Sequence, residues 1–390
     1  MSATLLDVEA VRRRFSSLQG GFAFLDAPGG SQVPDEVGEA MARALREASG
    51  NIGAPYETGR RVEEILTTAR ADAGRFLGCS AADVIFGTNM TTLDFILSRT
   101  ASRDWREGDR ILVSRLDHDG GVAPWLELAA DRGFEVDWVD VTDDLRLDLD
   151  DLQRKLDERT RLVAFVAASN AVGTITDIQR VAELAREAGA LSWVDAVHYA
   201  AHEPVDVQAL GCDVLICSPY KFCGPHLGLA YGRHELLESW RPYKARPAPN
   251  TPAGRRLETG TAPYELLAGF TATISYLDSL GGIGALRSYE RELGRRFLEA
   301  LPDSVTVYGL QTMDGRVPTF LLNVAGVDAA EVATTMAARG YGVWAHDNWY
   351  SVGLREHLPY PRDAVRVGFI HYNTADEVDG FVRELASLSA

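Results

Sequence analysis

Apolar residues in the first part of the chain fall in short uninterrupted runs: Val84 to Phe86, Ile111 to Val113, Leu162 to Ala168, Leu191 to Val194 and Val214 to Cys217. Glu135 to Val139, with Asp137 between its apolar residues, is read as a further strand in the alternation. Gly, Pro or polar residues bound each run, which is how a strand buried on both faces reads in sequence. Stretches with helical spacing lie between them, including Pro34 to Ala48, Arg60 to Phe76, an apolar helix after Thr92, Asp148 to Asp157 and Ile178 to Ala188. A short helix over residues 5–19 and a strand from Phe22 to Asp26 come first, the strand running into a tight loop, Ala27-Pro-Gly-Gly-Ser31. Strands alternating with helices predict an α/β fold with a largely parallel sheet.

The pattern changes after the Pro-rich segment Arg241 to Pro252, which reads as an extended crossing segment. Helices over Glu265 to Leu280 and Ala285 to Ala300 lead into strands near Thr319 to Val324, Gly342 to Trp344 and Val365 to Phe369. Further helices lie near Ala329 to Arg339 and Asp376 to Leu388. This part reads as a small α+β unit. Residues 16–265 are expected to form the large domain, with 1–15 and 266–390 making the small one.

Composition narrows the possible partners. A chain of 390 residues has room for both domains and an ample core. A net charge of −17 argues against nucleic acid and anionic membranes. No run approaches the roughly 18 apolar residues of a membrane span, and the opening MSATLLDVEAVRRRF lacks the apolar centre of a signal peptide. The four cysteines, Cys79, Cys212, Cys217 and Cys223, show no metal-like spacing, so no metal site is expected and a reducing cytoplasm suits them.

Two residues carry candidate chemistry. Asp195 ends one apolar run, and Lys221 follows the next, after Ser218 and Tyr220. An acid and an amine at the carboxyl ends of neighbouring parallel strands can converge on one ligand. They are the minimum for pyridoxal phosphate chemistry: the amine condenses with the cofactor aldehyde, and the carboxylate keeps the pyridine nitrogen protonated. On spacing alone, Asp195 serves equally well as a cap and Lys221 as solvated surface. Likewise Gly29 and Gly30 read as a plain turn. The Gly87-Thr88-Asn89 turn before a helix reads both as an anion site and as an ordinary N-cap.

The surrounding residues resemble the class V aminotransferases, the group that includes cysteine desulfurases, kynureninase and selenocysteine lyase. Their Ser-x-(His)-Lys-x-x-Gly-Pro pattern is found as Ser218, Lys221, Gly224 and Pro225, with its closing glycine at Gly228, one residue later than in the family pattern, and Asp195 one strand away. The resemblance recurs along most of the chain. It implies a fold-type I enzyme and a homodimer with shared sites. Thr88 and Asn89 would contact the phosphate, His118 of Asp117-His118 would stack on the pyridine ring, and Asn170 of Asn170-Ala-Val-Gly-Thr174 would reach cofactor or substrate. His198 takes the place of a Gln near the cofactor's 3-oxygen. Thr261 of Glu258-Thr-Gly-Thr261 would reach the partner subunit's phosphate. Gly29 lies in the loop beside the substrate, and Arg366 of Val-Arg-Val-Gly-Phe-Ile-His-Tyr-Asn-Thr would fork onto the substrate carboxylate.

Two departures bear on the reaction. Tyr220 stands before the lysine where desulfurases have His, as in kynureninase-like members. The stretch Val343 to Tyr350, where desulfurases carry a nucleophilic cysteine, contains none. His346, Trp349 and Tyr350 could cap the substrate instead. The resulting expectation is a pyridoxal phosphate enzyme acting on a small amino acid by side-chain cleavage, with no persulfide cysteine. Transamination and epimerisation are the alternatives, and a non-catalytic binding protein of the same fold is the alternative of another class.

Overall fold

The computed structural model describes residues 6–345, 350–358 and 363–388. His346 and Trp349 of the proposed capping stretch lie outside them. The main sheet has seven strands in the order Val84–Gly87, Gly228–Gly232, Val214–Cys217, Leu191–Asp195, Thr160–Val166, Arg110–Ser114, Glu135–Val139. All point the same way except Gly228–Gly232, which is antiparallel to both neighbours.

Successive side chains along each strand enter different cores. Phe86, Leu112, Val163, Phe165, Val194 and Leu215 pack on one face; Ile85, Ile111, Val113, Leu162, Ala164, Trp193 and Ile216 pack on the other. Both faces are covered by helices, so neither set of positions is polar, and the runs read as continuous apolar sequence. Fully burying each Val, Leu, Ile or Phe side chain among them contributes about 1.5–3 kcal/mol.

A third core belongs to an antiparallel four-stranded sheet, ordered Trp344–Ala345, Val365–Gly368, Thr319–Val324, Val305–Val307. Helices Ala329–Ala338 and Ala375–Ala386 supply Val332, Met336, Val378 and Phe381 to it. Ala23 and Leu25 pack here as well, and Ala23–Phe24 pairs in parallel with Tyr341–Gly342. The early strand thereby carries the Ala27–Ser31 loop from the small core to the large sheet. Asp26 bridges to Gly368 on the way. Among the described residues no single helix is long and apolar enough to cross a membrane.

Candidate active site

The lysine sits on a braced turn. Strand Val214–Cys217 ends at Ser218, and one short helical turn, Pro219–Lys221, follows. Ser31 donates to the Tyr220 carbonyl through both its backbone N, at 3.0 Å, and its hydroxyl, at 2.9 Å. Cys223 N in turn donates to Ser31 Oγ at 2.6 Å. Lys221 Nζ, on a residue only 8% exposed, donates to the Pro28 carbonyl. The Gly29–Gly30 loop is therefore more than a turn: it is pinned against the lysine. The bracing holds Cys223 at φ +66°, a left-handed conformation that costs a branched-Cβ-free residue on the order of 1 kcal/mol.

A cavity opens at the carboxyl ends of the parallel strands, where such folds place ligands. Asn89, His118, Asn170, Asp195, His198, Ser218, Tyr220 and Lys221 all line it, with Met90 and Thr91. Helix Met90–Ala101 starts at its wall. Asn89 caps that helix by accepting from Thr92 N at 2.8 Å, and Met90 N donates to Ser218 Oγ at 3.2 Å. The cap is observed, and the positive end of the helix faces the cavity, where it would favour an anion.

Charge in the cavity is set by burial. Asp195 accepts from Val197 N at 2.8 Å; burial pushes its carboxyl up to about 6, opposed by that hydrogen bond and by Lys221. A cationic ring nitrogen placed against it would restore the charged form. His118 caps helix Asp119–Arg132, its Nδ1 accepting from Gly120 N at 2.9 Å, which puts the neutral ring's proton on Nε2. Burial, then Lys221 and Arg366, push it down to about 3. Tyr350 lies parallel to the imidazole, with centroids 5.3 Å apart and 8° between planes.

The depressed histidine gives a stability prediction. When unfolded, His118 takes up its proton near pH 6.5, but when folded only near pH 3. Its contribution is therefore complete above pH 6.5 and is lost as pH falls towards 3. In the cofactor-free protein, His118→Phe should flatten the fall of Tm below pH 6.5; thermal scans across that range check it, and a slope equal to wild type would contradict it.

Four of the expected site residues lie outside the cavity wall. Thr88 and Thr261 are exposed. The Thr261 segment is anchored to the sheet edge by Glu258, which pairs with buried Arg70 and accepts from Phe86 N at 2.9 Å. Gly29 and Arg366 stand beside the cavity and close to each other: a Cβ at Gly29 would collide with the Asp26 carboxylate and come 3.1 Å from the Arg366 guanidinium. Arg366 is 1% exposed. Its Nε and one terminal nitrogen lie 3.1 and 3.0 Å from Asp26 Oδ1, and the other terminal nitrogen is 3.4 Å from the Asn170 carbonyl. The Trp344 ring lies 5.4 Å from the guanidinium.

Asp26 is a residue that sequence reasoning missed, although it ends a strand just before two glycines. Thr319 was missed too: its hydroxyl is 2.7 Å from His198 Nε2. So was Ser351, which donates to Asn170 Oδ1 at 3.3 Å. Each comes from a segment distant in sequence, and each carries a side chain too common to signal a site.

These residues suit pyridoxal phosphate. An amine and a carboxylate face one cavity, a helix N-terminus offers the phosphate a positive end, and an imidazole supplies a flat neighbour for an aromatic ring. His198 Nδ1 is buried without a hydrogen-bond partner among the described residues, as a group awaiting a ligand would be.

Comparison with known proteins agrees. The model of the family described as Aminotransferase class-V matches residues 23–381. The chain is 32% identical to a probable cysteine desulfurase 2 of Mycobacterium leprae, over 98% of its own length and 96% of that protein's. It is 30% identical to the aminotransferase-like protein FGM3 of Gibberella zeae, over 98% of each. Among solved structures, a cysteine desulfurase from Thermococcus onnurineus NA1 superposes with a TM-score of 0.92 at 24% identity, covering 99% of both chains. The cysteine desulfurase CsdA from Escherichia coli gives 0.89 at 24% identity, over 99% of this chain and all of the other. At that identity the structures speak for the fold, which is fold type I of the pyridoxal phosphate enzymes. The chain belongs to the class V aminotransferase family, as a pyridoxal phosphate-dependent enzyme of the cysteine desulfurase-like kind.

Proposed function

We propose that the enzyme cleaves a side-chain bond of a small amino acid without a protein-bound persulfide. The observation that carries this reading is the convergence of Lys221 and Asp195 on one cavity, with Asn170 in its wall and buried Arg366 beside it. When bound, pyridoxal phosphate supplies an electron sink that makes the substrate's Cα proton removable. Lys221 would hold the cofactor and then, once displaced by the substrate amine, take that proton at Nζ. Asp195 would keep the pyridine nitrogen protonated. Arg366 and Asn170 would grip the α-carboxylate and so orient the bond to be broken. Asn89, Ser218 and the start of helix Met90–Ala101 are suited to the phosphate, His118 to the ring face, and Tyr220 to a phosphate oxygen.

Cysteine chemistry has little to work with. None of the four thiols lines the cavity. Burial pushes Cys79 and Cys212 up to about 12, and Cys217 and Cys223 higher still. A thiol so raised is no nucleophile at neutral pH. Replacing each cysteine in turn should leave turnover largely intact; a folded, cofactor-bound Cys223→Ser enzyme devoid of activity would overturn the persulfide-free reading.

Transamination is the second reading, supported by the likeness to an aminotransferase-like protein. Offering small amino acids one at a time and weighing the products separates the two. Side-chain cleavage turns over with no co-substrate, whereas transamination stops after one equivalent until a keto acid is added. Failure of every amino acid to change the cofactor's visible spectrum would defeat both.

A homodimer fits the exposed Thr261, which would reach the phosphate of the partner's site. Tyr264 ties that loop to Asn51 at 2.9 Å, so the two segments offer one candidate face. The unpaired cysteines suit a reducing cytoplasm.

A further inference from the structure

A buried charge lies behind the cavity wall, where the large core meets the small one. Glu290, on helix Ile283–Ala300, is 1% exposed. Its Oε2 lies 2.7 Å from His202 Nδ1. Its Oε1 accepts from His371 N at 2.9 Å and lies 3.3 Å from His371 Nδ1. Burial opposes a charge here, but the two imidazoles outweigh it and hold the carboxyl down to about 2. An ionised carboxylate only accepts, so the protons facing it sit on the Nδ1 atoms of His202 and His371.

The two histidines then differ. His371 finds a partner for its other nitrogen: Nε2 is 2.7 Å from the Tyr276 hydroxyl. His202 Nε2 is buried and has no hydrogen-bond partner among the described residues. Its ring meets that of His198 edge to face, with centroids 4.9 Å apart at 79°. His198 Nδ1 is likewise buried and partnerless, while its Nε2 is held by Thr319. The cavity histidine is thus gripped on one side by a hydroxyl of the small sheet and on the other by an imidazole whose own proton is fixed by Glu290.

We propose that Glu290 and His202 are a positioning pair for His198, fixing its ring orientation and the place of its proton in the wall of the cofactor cavity. A His198 held this way presents one fixed nitrogen to the cofactor, and the acidity of the cofactor's ring oxygen follows the hydrogen bond it receives. Other charges near the group have their own places. Glu203 pairs with Arg287 at 3.0 Å beside His202, Lys221 and Arg366 bear on His198, and Tyr276, Tyr372 and Cys223 lie beyond His371. The inference rests on the assignment of His198 to the cofactor site.

The test uses the holoenzyme and follows the pH midpoint of the bound cofactor's visible absorbance. Glu290→Gln keeps the shape but sets an amide against His202, so the proton on His202 is no longer fixed. The midpoint should move by about one pH unit, a tenfold change in proton affinity, and His202→Gln should move it in the same direction. Glu203→Gln, beside His202 but bonded outward to Arg287, should leave it in place. If the pair serves only as glue between the cores, Tm falls and the midpoint stays; a Glu290→Gln enzyme with cofactor bound and a wild-type midpoint overturns the proposal. Should both variants aggregate, nitrogen-15 histidine spectra of the wild-type holoenzyme decide, since a His202 carrying its proton on Nε2 alone is incompatible with it. Failure of the cofactor assignment itself would show separately, as borohydride fixing the cofactor to a lysine other than Lys221.

Discussion

Lys221→Ala enzyme is expected to lose the covalent hold on its cofactor and at least about 10³-fold in turnover, the scale of removing a catalytic base. The lysine would have two tasks, and alanine can do neither. Borohydride should fix pyridoxal phosphate to the wild-type chain at the Lys221 peptide and to nothing in the variant. The only other lysines are Lys155 and Lys244. Lys155 is committed to Asp151 at 2.8 Å on the rim of the sheet, and Lys244 to the Ala248 carbonyl at 2.9 Å and the Asn250 side chain at 2.7 Å. Neither lines the cavity. Label at either one would remove the foundation of the site as built here. A variant that still binds cofactor noncovalently and regains some rate with added small amines would separate the base from the tether, since an exogenous amine can replace Nζ without restoring the covalent link.

The centre of the large sheet was legible because its parallel strands are buried on both faces, which writes them as apolar runs; the edge strand Glu135–Val139, less buried, keeps a Glu and an Asp. Gly228–Gly232 escaped for a physical reason. It runs between two neighbours, and its first glycine passes the Asn89 backbone so closely that a Cβ would lie 2.7 Å from it. Close approach demanded glycine where β-branched residues would have announced a strand. Helix Asp119–Arg132 was hidden by Pro124, which reads as a breaker yet lies inside the helix, in its second turn. In the site, Lys221, Asp195, His118 and Asn170 were legible because they sit at strand ends inside distinctive local patterns. Asp26, Thr319 and Glu290 were not, because what they do depends on tertiary contacts with Arg366, His198 and His202.

Arg366→Lys should keep the fold and the bound cofactor while raising KM for the amino acid roughly 10- to 100-fold, the equivalent of about 1.5–3 kcal/mol of charge-assisted hydrogen bonding. A lysine ammonium restores the charge without the fork, and two parallel bonds to a carboxylate need the fork. The structure sharpens the competing account, in which the guanidinium only ties the segments together through Asp26. Asp26 Oδ1 accepts from Nε and one terminal nitrogen, while the opposite nitrogen donates towards the Asn170 carbonyl in the cavity wall. The guanidinium therefore has an edge turned to each task, and the variants can be made to tell them apart. Asp26→Asn leaves the fork intact, so under the ligand reading it lowers Tm but spares KM, whereas Arg366→Lys raises KM for amino acids and narrows their advantage over amines that lack the carboxylate. If the arginine is architecture alone, both variants lower Tm, both leave KM unchanged, and the preference for a carboxylate persists. That second pattern would leave the amino-acid substrate class without its main support.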